Sequence, residues 1–388
     1  MRHHLYLSPG MFGFGRLGSY NYFGHVEREL TSRFAAAGHE LFVHVINDLP
    51  TASIRRRSTR LAETVSRSAG ADTAIHLLGH STGGIDARLV SSPSTCSIPD
   101  ELLGWLPQLR SVTTMNTPHY GTPLASFFAT SKGQHLLAAL SMLTFAALTV
   151  GERPLRAMSV ILGSLRGGDL AIPLKLVMLD RSVAMLNGVI EDACGTDVRS
   201  YIAAIEDDQG SMLQLSPESM DLVTAGFTDR PGVHYQSTAS MSPSPTSRKW
   251  MATLGHPLRS VSLAVFFGLH HLTADIDERY PCARMEDKTP FAGQELEVQL
   301  VRALGRTPTV EDNDGVTPLR SQLWGSLAWI GLGDHLDVLG HYRDDEAGDD
   351  VPADLRHRDW LTSGSAFSHK QFAGLIDAIA NGMLTSAS

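Results

Sequence analysis

The chain has 388 residues, 43% hydrophobic and 19% charged, which is ordinary for a globular protein of one elaborated domain or two. A formal net charge of −9 argues against nucleic acid as a partner, because phosphate binding needs a basic footprint. Three cysteines, Cys96, Cys194 and Cys282, make no disulfide framework and have no metal-ligand spacing, leaving room for one bridge at most.

The opening MRHHLYLSPG lacks the charged start and long apolar segment of a secretory signal, so the expected location is cytoplasmic. His4–Ser8 reads as a short strand ending at Pro9-Gly10. A helix is expected over Tyr22–Ala37, with Val26, Leu30 and Phe34 on one face and Gly38 as its stop. Strand Leu41–Ile46, an arginine-rich helix over 52–68, strand Thr73–Leu78, a helix after Ser81 and strand Ser111–Asn116 follow. This alternation implies a parallel sheet covered by helices on both faces, an α/β fold.

The pattern then changes. Residues 124–215 hold apolar helical stretches without a clear strand, and they fall where a helical cap or lid would be inserted between core segments 1–123 and 216–388. The longest apolar run, LLAALSMLTFAALTV at 136–150, is broken by Ser141, Thr144 and Thr149 and is shorter than the ~20 residues of a membrane span. Ser216 can cap a helix whose first position suits Pro217. Gly232–Ala239 returns to the sheet, 241–312 is an insertion of mixed character, Leu327–Leu332 is a late strand, and Ser368–Ala380 is an amphipathic terminal helix.

The segment TAIHLLGHSTGG at 73–84 carries the chemistry. An apolar strand runs into Gly79-His80-Ser81-Thr82-Gly83, the G-x-S-x-G pattern of a nucleophile elbow, and a helical pattern follows. Glycines are needed because side chains there would strike the neighbouring strand and helix. A serine needs a histidine base, and that base an orienting carboxylate, in the chain order Ser, acid, His. His335 follows the late strand, and Asp314 lies in the turn-rich EDNDGVTP, where Asp312 is the competing acid. The N–H of Thr82 and that of Met11, in the loop after the first strand, are the candidate oxyanion donors. Phe12 and His80, beside these donors, are the candidate substrate contacts.

Taken together, PGMFGFGRLGSYNYF, GHSTGG, MNTPHYGTPLA, NDGVTP and DHLDVLGHY occur in the order seen in bacterial true lipases, and the chain resembles that lid-bearing, calcium-stabilised triacylglycerol lipase family over most of 5–130, 213–240 and 311–342. The resemblance implies an α/β-hydrolase fold with a large helical lid, Ser81 as nucleophile, Asp314 as acid, His335 as base, and Met11 and Thr82 as oxyanion donors. It also implies Asp337, in HLD, as a ligand of a structural Ca2+, and no organic cofactor. The chain departs from the family where Pro9 replaces its loop histidine, in the longer 241–312, and in lacking the export signal such lipases usually have.

The expected function is therefore lipase-like cleavage of carboxylic esters with apolar acyl chains, with transient lipid-surface contact through the cap. An acyltransferase, a short-chain or polyester esterase, and a catalytically silent lipid-binding protein are the rivals. The cap helices read either as a mobile lid or as rigid core. RRRSTR at Arg55–Arg60 reads as a solvated helix face or an anionic-surface contact, and DDEAGDD at Asp344–Asp350 as an exposed loop or a cation site. His119 is expected to brace a loop, and the adjacent His270 and His271 to point different ways.

Overall fold

The computed structural model describes residues 2–11, 16–17, 20–47, 51–70, 73–94, 97–130, 210–244, 257–283, 294–343, 357, 359 and 361–387. Most of the expected cap, together with Phe12, Cys96, Cys194 and the acidic run 344–350, lies outside these residues.

Six strands form one sheet: β1 (Arg2–Ser8), β2 (Glu40–Val45), β3 (Ala74–His80), β4 (Leu109–Met115), β5 (His234–Met241) and β6 (Ser326–Leu332). Their order is β2-β1-β3-β4-β5-β6, and every neighbouring pair is parallel. The described helices are α1 (Gly24–Ala36), α2 (Ile54–Ser68), α3 (Thr82–Ser91), α4 (Pro123–Phe128), α5 (Gly210–Gln214), α6 (Pro217–Gly226), α7 (Pro257–Thr273), α8 (Gln294–Leu304) and α9 (His369–Ser386). Two of these, α7 and α8, lie within the insertion for which the sequence implied only mixed character.

The two faces of the sheet are read directly from strand alternation. Leu5 and Leu7 join the α1 stripe of Val26, Leu30 and Phe34 and the α9 stripe of Phe372, Leu375, Ile376 and Ile379 in one buried cluster. Tyr6 points the other way, into a cluster with Leu61 and Val65 of α2 and Ala87 and Val90 of α3. Helix α1 ends two residues before Gly38, which takes the positive φ of 78° that favours glycine. Ser216 caps α6 by accepting from Ser219 N–H, with Pro217 opening the helix.

Parallel strands release their connecting loops at one end, and both the Ser81 turn after β3 and the His335 loop after β6 leave from that end. A second polar feature lies inside the sheet. His3 Nδ1 meets His76 Nε2 at 3.0 Å, His3 Nε2 meets His39 Nδ1 at 2.9 Å, and His76 Nδ1 meets Ser111 Oγ at 2.7 Å. His3 and His76 are fully buried. Burial, reinforced by the neighbouring histidines, lowers His3 to about 4 and His76 to about 3.

These two rings are neutral in the fold, whereas an unfolded histidine titrates near 6.5. Their contribution to stability is complete above pH 6.5 and is lost as pH falls toward 4 and then 3, by up to ~1.4 kcal/mol per pH unit for each ring. Urea unfolding at a series of pH values should show the midpoint dropping steadily below pH 6.5. A midpoint that stays flat down to pH 4.5 would contradict this reading of the histidine row.

Candidate active site

Ser81 stands alone between the end of β3 and the start of α3, at φ 54° and ψ −127°. A non-glycine residue there carries strain on the order of 1–3 kcal/mol, which the surroundings must over-determine. They do so with Ser81 N–H donating to Met115 O at 2.8 Å and Gly84 N–H donating to Ser81 O at 3.0 Å. The flanking glycines are obligatory. A Cβ on Gly79 would lie 2.1 Å from the Gly83 carbonyl group, and one on Gly83 would lie 2.0 Å from Ser8 O. Helix α3 can cross this close to β1 only without those carbons. Thr82 is fully buried as the first residue of α3, where N–H groups have no partner inside the helix.

Asp314 and His335 meet as the chain order required. His335 Nδ1 lies 2.7 Å from Asp314 Oδ2, and the His335 N–H donates to Asp314 O at 2.9 Å. Asp314 is fully buried, and its other oxygen accepts the N–H groups of Val316 at 2.9 Å and Thr317 at 2.7 Å. The competing Asp312 is committed elsewhere: it pairs with Arg306 at 2.5 and 2.7 Å and accepts Thr309 N–H at 2.7 Å. Ser81 Oγ makes no hydrogen bond among the described residues, while the adjacent His80 ring lies 4.7 Å from the His335 ring, centroid to centroid.

One member of this group was missed by sequence reasoning. Asn116 Nδ2 donates to Asp314 Oδ2 at 2.8 Å and to Ser240 Oγ at 2.6 Å. Its backbone adopts φ 48°, so the turn after β4 is shaped to aim this amide. The available signal was an asparagine ending a strand, in MNTP, a residue type that tolerates the left-handed region.

Other expected residues sit in surroundings that the sequence did not specify. His80, expected as a substrate contact, is fully buried with both ring nitrogens occupied, Nδ1 by Tyr22 Oη at 2.7 Å and Nε2 by His335 O at 2.9 Å. Met11 is half-buried and packs beside clusters containing Ile54, Ile85, Ala125 and Leu215 on one side and Leu124 and Phe128 on the other. The arginine run is not uniformly solvated. Arg55, Arg56 and Arg60 are exposed, but Arg57 is fully buried against Asp86, with Nη2 2.8 Å from Oδ2. Its position three residues after Ile54 and four before Leu61 puts it on the apolar stripe of α2. Arg57 Nη2 also donates to Pro9 O, and Ser8 Oγ donates to Asp86 at 2.9 Å. The loop after β1, which has proline in place of the family's histidine, is therefore tied to α2 and α3.

His119 is a brace, with Nδ1 2.9 Å from Arg88 Nη1 and Nε2 3.0 Å from Thr114 Oγ1. His270 is buried and His271 exposed, so they do point apart. Asp337 lies in the turn just after His335, with Oδ2 accepting Asp334 N–H at 2.8 Å and Ser365 Oγ–H at 2.7 Å.

A six-stranded parallel sheet with helices on both faces and a strand–Ser–helix elbow fits the α/β-hydrolase fold. No family model matches the chain. The triacylglycerol lipase of Pseudomonas fragi is 30% identical over 146 residues, which is 36% of this chain and 44% of that lipase, so the match spans under half the length of that relative. The Staphylococcus hyicus lipase structure aligns with 99% of this chain and 95% of its own at TM-score 0.51 and 13% identity, a likeness of fold. EstA from Clostridium botulinum aligns with 96% of this chain and 87% of its own, at TM-score 0.46 and 17% identity. The sequence match covers about a third of this chain, and the likeness to the Staphylococcus hyicus structure is one of architecture.

Removing one partner of a buried ion pair strands the other, at a cost of about 3–5 kcal/mol. Arg57→Met should lower unfolding stability by that amount, because Asp86 would keep Ser8 but lose its cation. Denaturant unfolding measures this directly, and a change below about 1 kcal/mol would refute the assigned role.

Proposed function

We propose that the chain is a serine ester hydrolase of lipase type, with Ser81 as nucleophile, His335 as general base and acid, and Asp314 as the orienting carboxylate. The observation that carries the reading is the 2.7 Å contact between His335 Nδ1 and the buried Asp314 carboxylate, at the sheet end that also carries the strained Ser81 turn. With Asp314 accepting, Nδ1 bears the proton and Nε2 keeps the lone pair. His335 Nε2 takes the hydroxyl proton as Ser81 Oγ attacks the ester carbonyl. The negative charge that develops on the carbonyl oxygen is stabilised by the N–H groups of Met11 and Thr82. His335 then gives its proton to the leaving alcohol, and an acyl-enzyme remains. Water, deprotonated by the same ring, adds to the acyl carbon, and its collapse returns Ser81 and frees the acid. Apo hydrolases often close the Ser–His hydrogen bond only when substrate arrives, so a Ser81 Oγ without a partner is compatible with this role.

The acyl side of the substrate is proposed to lie against the apolar flank of Met11, beneath a helical cap formed by residues 124–215. The two described ends of that cap, α4 and α5, contribute Leu124, Ala125, Phe128 and Met212 to the clusters Met11 packs beside. Burial of acyl-chain surface contributes about 25 cal/mol per Å2 to binding. Exposed Leu213 at the end of the cap and Leu222 in the adjoining α6 favour contact with a lipid surface.

Calcium is proposed at Asp337 as a structural ion only. Asp337 is pushed up to about 8 and Asp334 well above the usual carboxylate range, in both cases first by burial, with repulsion from Asp359 adding to each. These carboxylates share a cavity of about 600 Å3 with Ser363 and Ser365, whose wall offers oxygen donors of the kind a hard cation takes beside the cationic Arg343 and Lys370. Among the described residues no three His, Cys, Asp or Glu side chains converge to hold a metal, so backbone oxygens and water would complete the shell. The ion would brace the loop after β6 and take no part in proton transfer.

Three measurements test these assignments. Hydrolysis of p-nitrophenyl esters of increasing acyl length should peak at long chains and vanish in Ser81→Ala. A short-chain peak would keep the triad and reduce the assignment to a general esterase. Asp314→Asn should lower kcat by about 10,000-fold, while Asp312→Asn stays within a few-fold of the parent. Equal loss in both variants would remove Asp314 from the mechanism. Thermal unfolding with chelator should give a lower midpoint than with added calcium, and the difference should vanish in Asp337→Asn. No difference in the parent chain would dismiss the calcium position.

A further inference from the structure

Tyr22 is a buried polar group that the triad does not use. Tyr22 lies in the YNYF stretch after the first glycine-rich loop, and its hydroxyl sits inside the site without contacting any triad side chain. It meets His80 Nδ1 at 2.7 Å and accepts the backbone N–H of Gly10 at 3.2 Å. His80 Nε2 in turn meets the carbonyl oxygen of His335 at 2.9 Å.

Only one assignment of protons satisfies these contacts. The His335 carbonyl can only accept, so His80 Nε2 must carry a proton. Burial first, and then nearby His335, hold His80 well below its ordinary value, so the ring is neutral and Nδ1 is bare. The Tyr22 hydroxyl must therefore donate to His80 Nδ1, and its oxygen must be the acceptor for Gly10. Burial raises Tyr22 far above its ordinary value, so this donor persists at any working pH. The result is an ordered chain from Gly10 N–H through Tyr22 and His80 to the backbone of the catalytic histidine.

The packing makes the chain tight. A Cβ on Gly10 would stand 2.8 Å from Tyr22 Oη, 3.0 Å from Ser81 Cβ and 3.4 Å from His80 Nδ1. Gly10 is thus the point where the loop after β1, the elbow and Tyr22 converge, and the His335 loop joins them through His80. We propose that Tyr22 is a positioning residue that sets the oxyanion loop at Gly10–Met11 in register with the His335 loop, acting through His80. Arg57 holds the same loop from its other side through Pro9 O. The two ties hold opposite edges of one peptide unit, the Pro9 carbonyl and the Gly10 N–H, and so fix the plane immediately before the one that carries the Met11 N–H.

The inference rests on the ester-hydrolase reading, and the test separates the two. Tyr22→Phe keeps the buried ring and deletes only the hydroxyl. In ester hydrolysis it should lower kcat about 10- to 100-fold and leave KM within about twofold, because the donor is misaligned only for the tetrahedral state. Affinity for a trifluoromethyl ketone, which forms a tetrahedral adduct, should fall by the same factor as kcat. Amide hydrogen exchange at Gly10 and Met11 should accelerate, a readout that needs no turnover, while the thermal midpoint stays within a few degrees. Unchanged kcat together with unchanged exchange at Gly10 would overturn the proposal. A parent chain without Ser81-dependent turnover would overturn the hydrolase reading instead, and the exchange result would still decide whether Tyr22 holds the loop.

Discussion

The close crossing of α3 over β1 is the constraint on which the rest depends. Gly83 lets the first turn of α3 approach Ser8 O, Gly79 clears the Gly83 carbonyl, and Ser81 between them is forced to φ 54°. That conformation lifts a serine out of the sheet and brings helix N–H groups under it at the same time. The strain is held by parallel pairing of β3 with β1 and β4 on either side. A rigid sheet is what allows one residue to remain in a conformation it would otherwise leave.

Around the elbow, polar contacts run between loops rather than within them. Asn116 after β4 reaches Asp314, Asp314 reaches His335 after β6, and the His335 carbonyl reaches His80 at the end of β3. Arg57 and Asp86 join α2, α3 and the loop after β1 through fully buried charges. Such networks are costly when half satisfied and specific when complete, so they define one arrangement of loops that have little regular structure of their own.

Much of this was legible in the sequence, for identifiable reasons. The six strands and the α1 and α9 stripes announce themselves by period, and the elbow by its glycines, because these features depend on neighbours close in the chain. Asp314 could be narrowed only to one acidic turn, since the choice over Asp312 is made by Arg306, which sequence spacing does not reveal. The partners of Asn116 and Tyr22 were not legible, because they lie 198 and 58 residues away, although the strand-ending asparagine marked a left-handed turn. His80 was expected to touch substrate, and its ring is instead bonded to Tyr22 and the His335 carbonyl, partners distant in the chain. Arg57 was hidden by its like-charged neighbours, although its helical phase placed it on the buried stripe.

The central claim is that Ser81 is an activated nucleophile. The most direct measurement is reaction with a fluorophosphonate, followed by digestion and mass mapping of the adduct. The account predicts a single stoichiometric adduct on the peptide carrying Ser81, formed in the parent chain and greatly slowed when His335 is replaced by alanine. Absence of an adduct on Ser81, or equal labelling with and without His335, would contradict it.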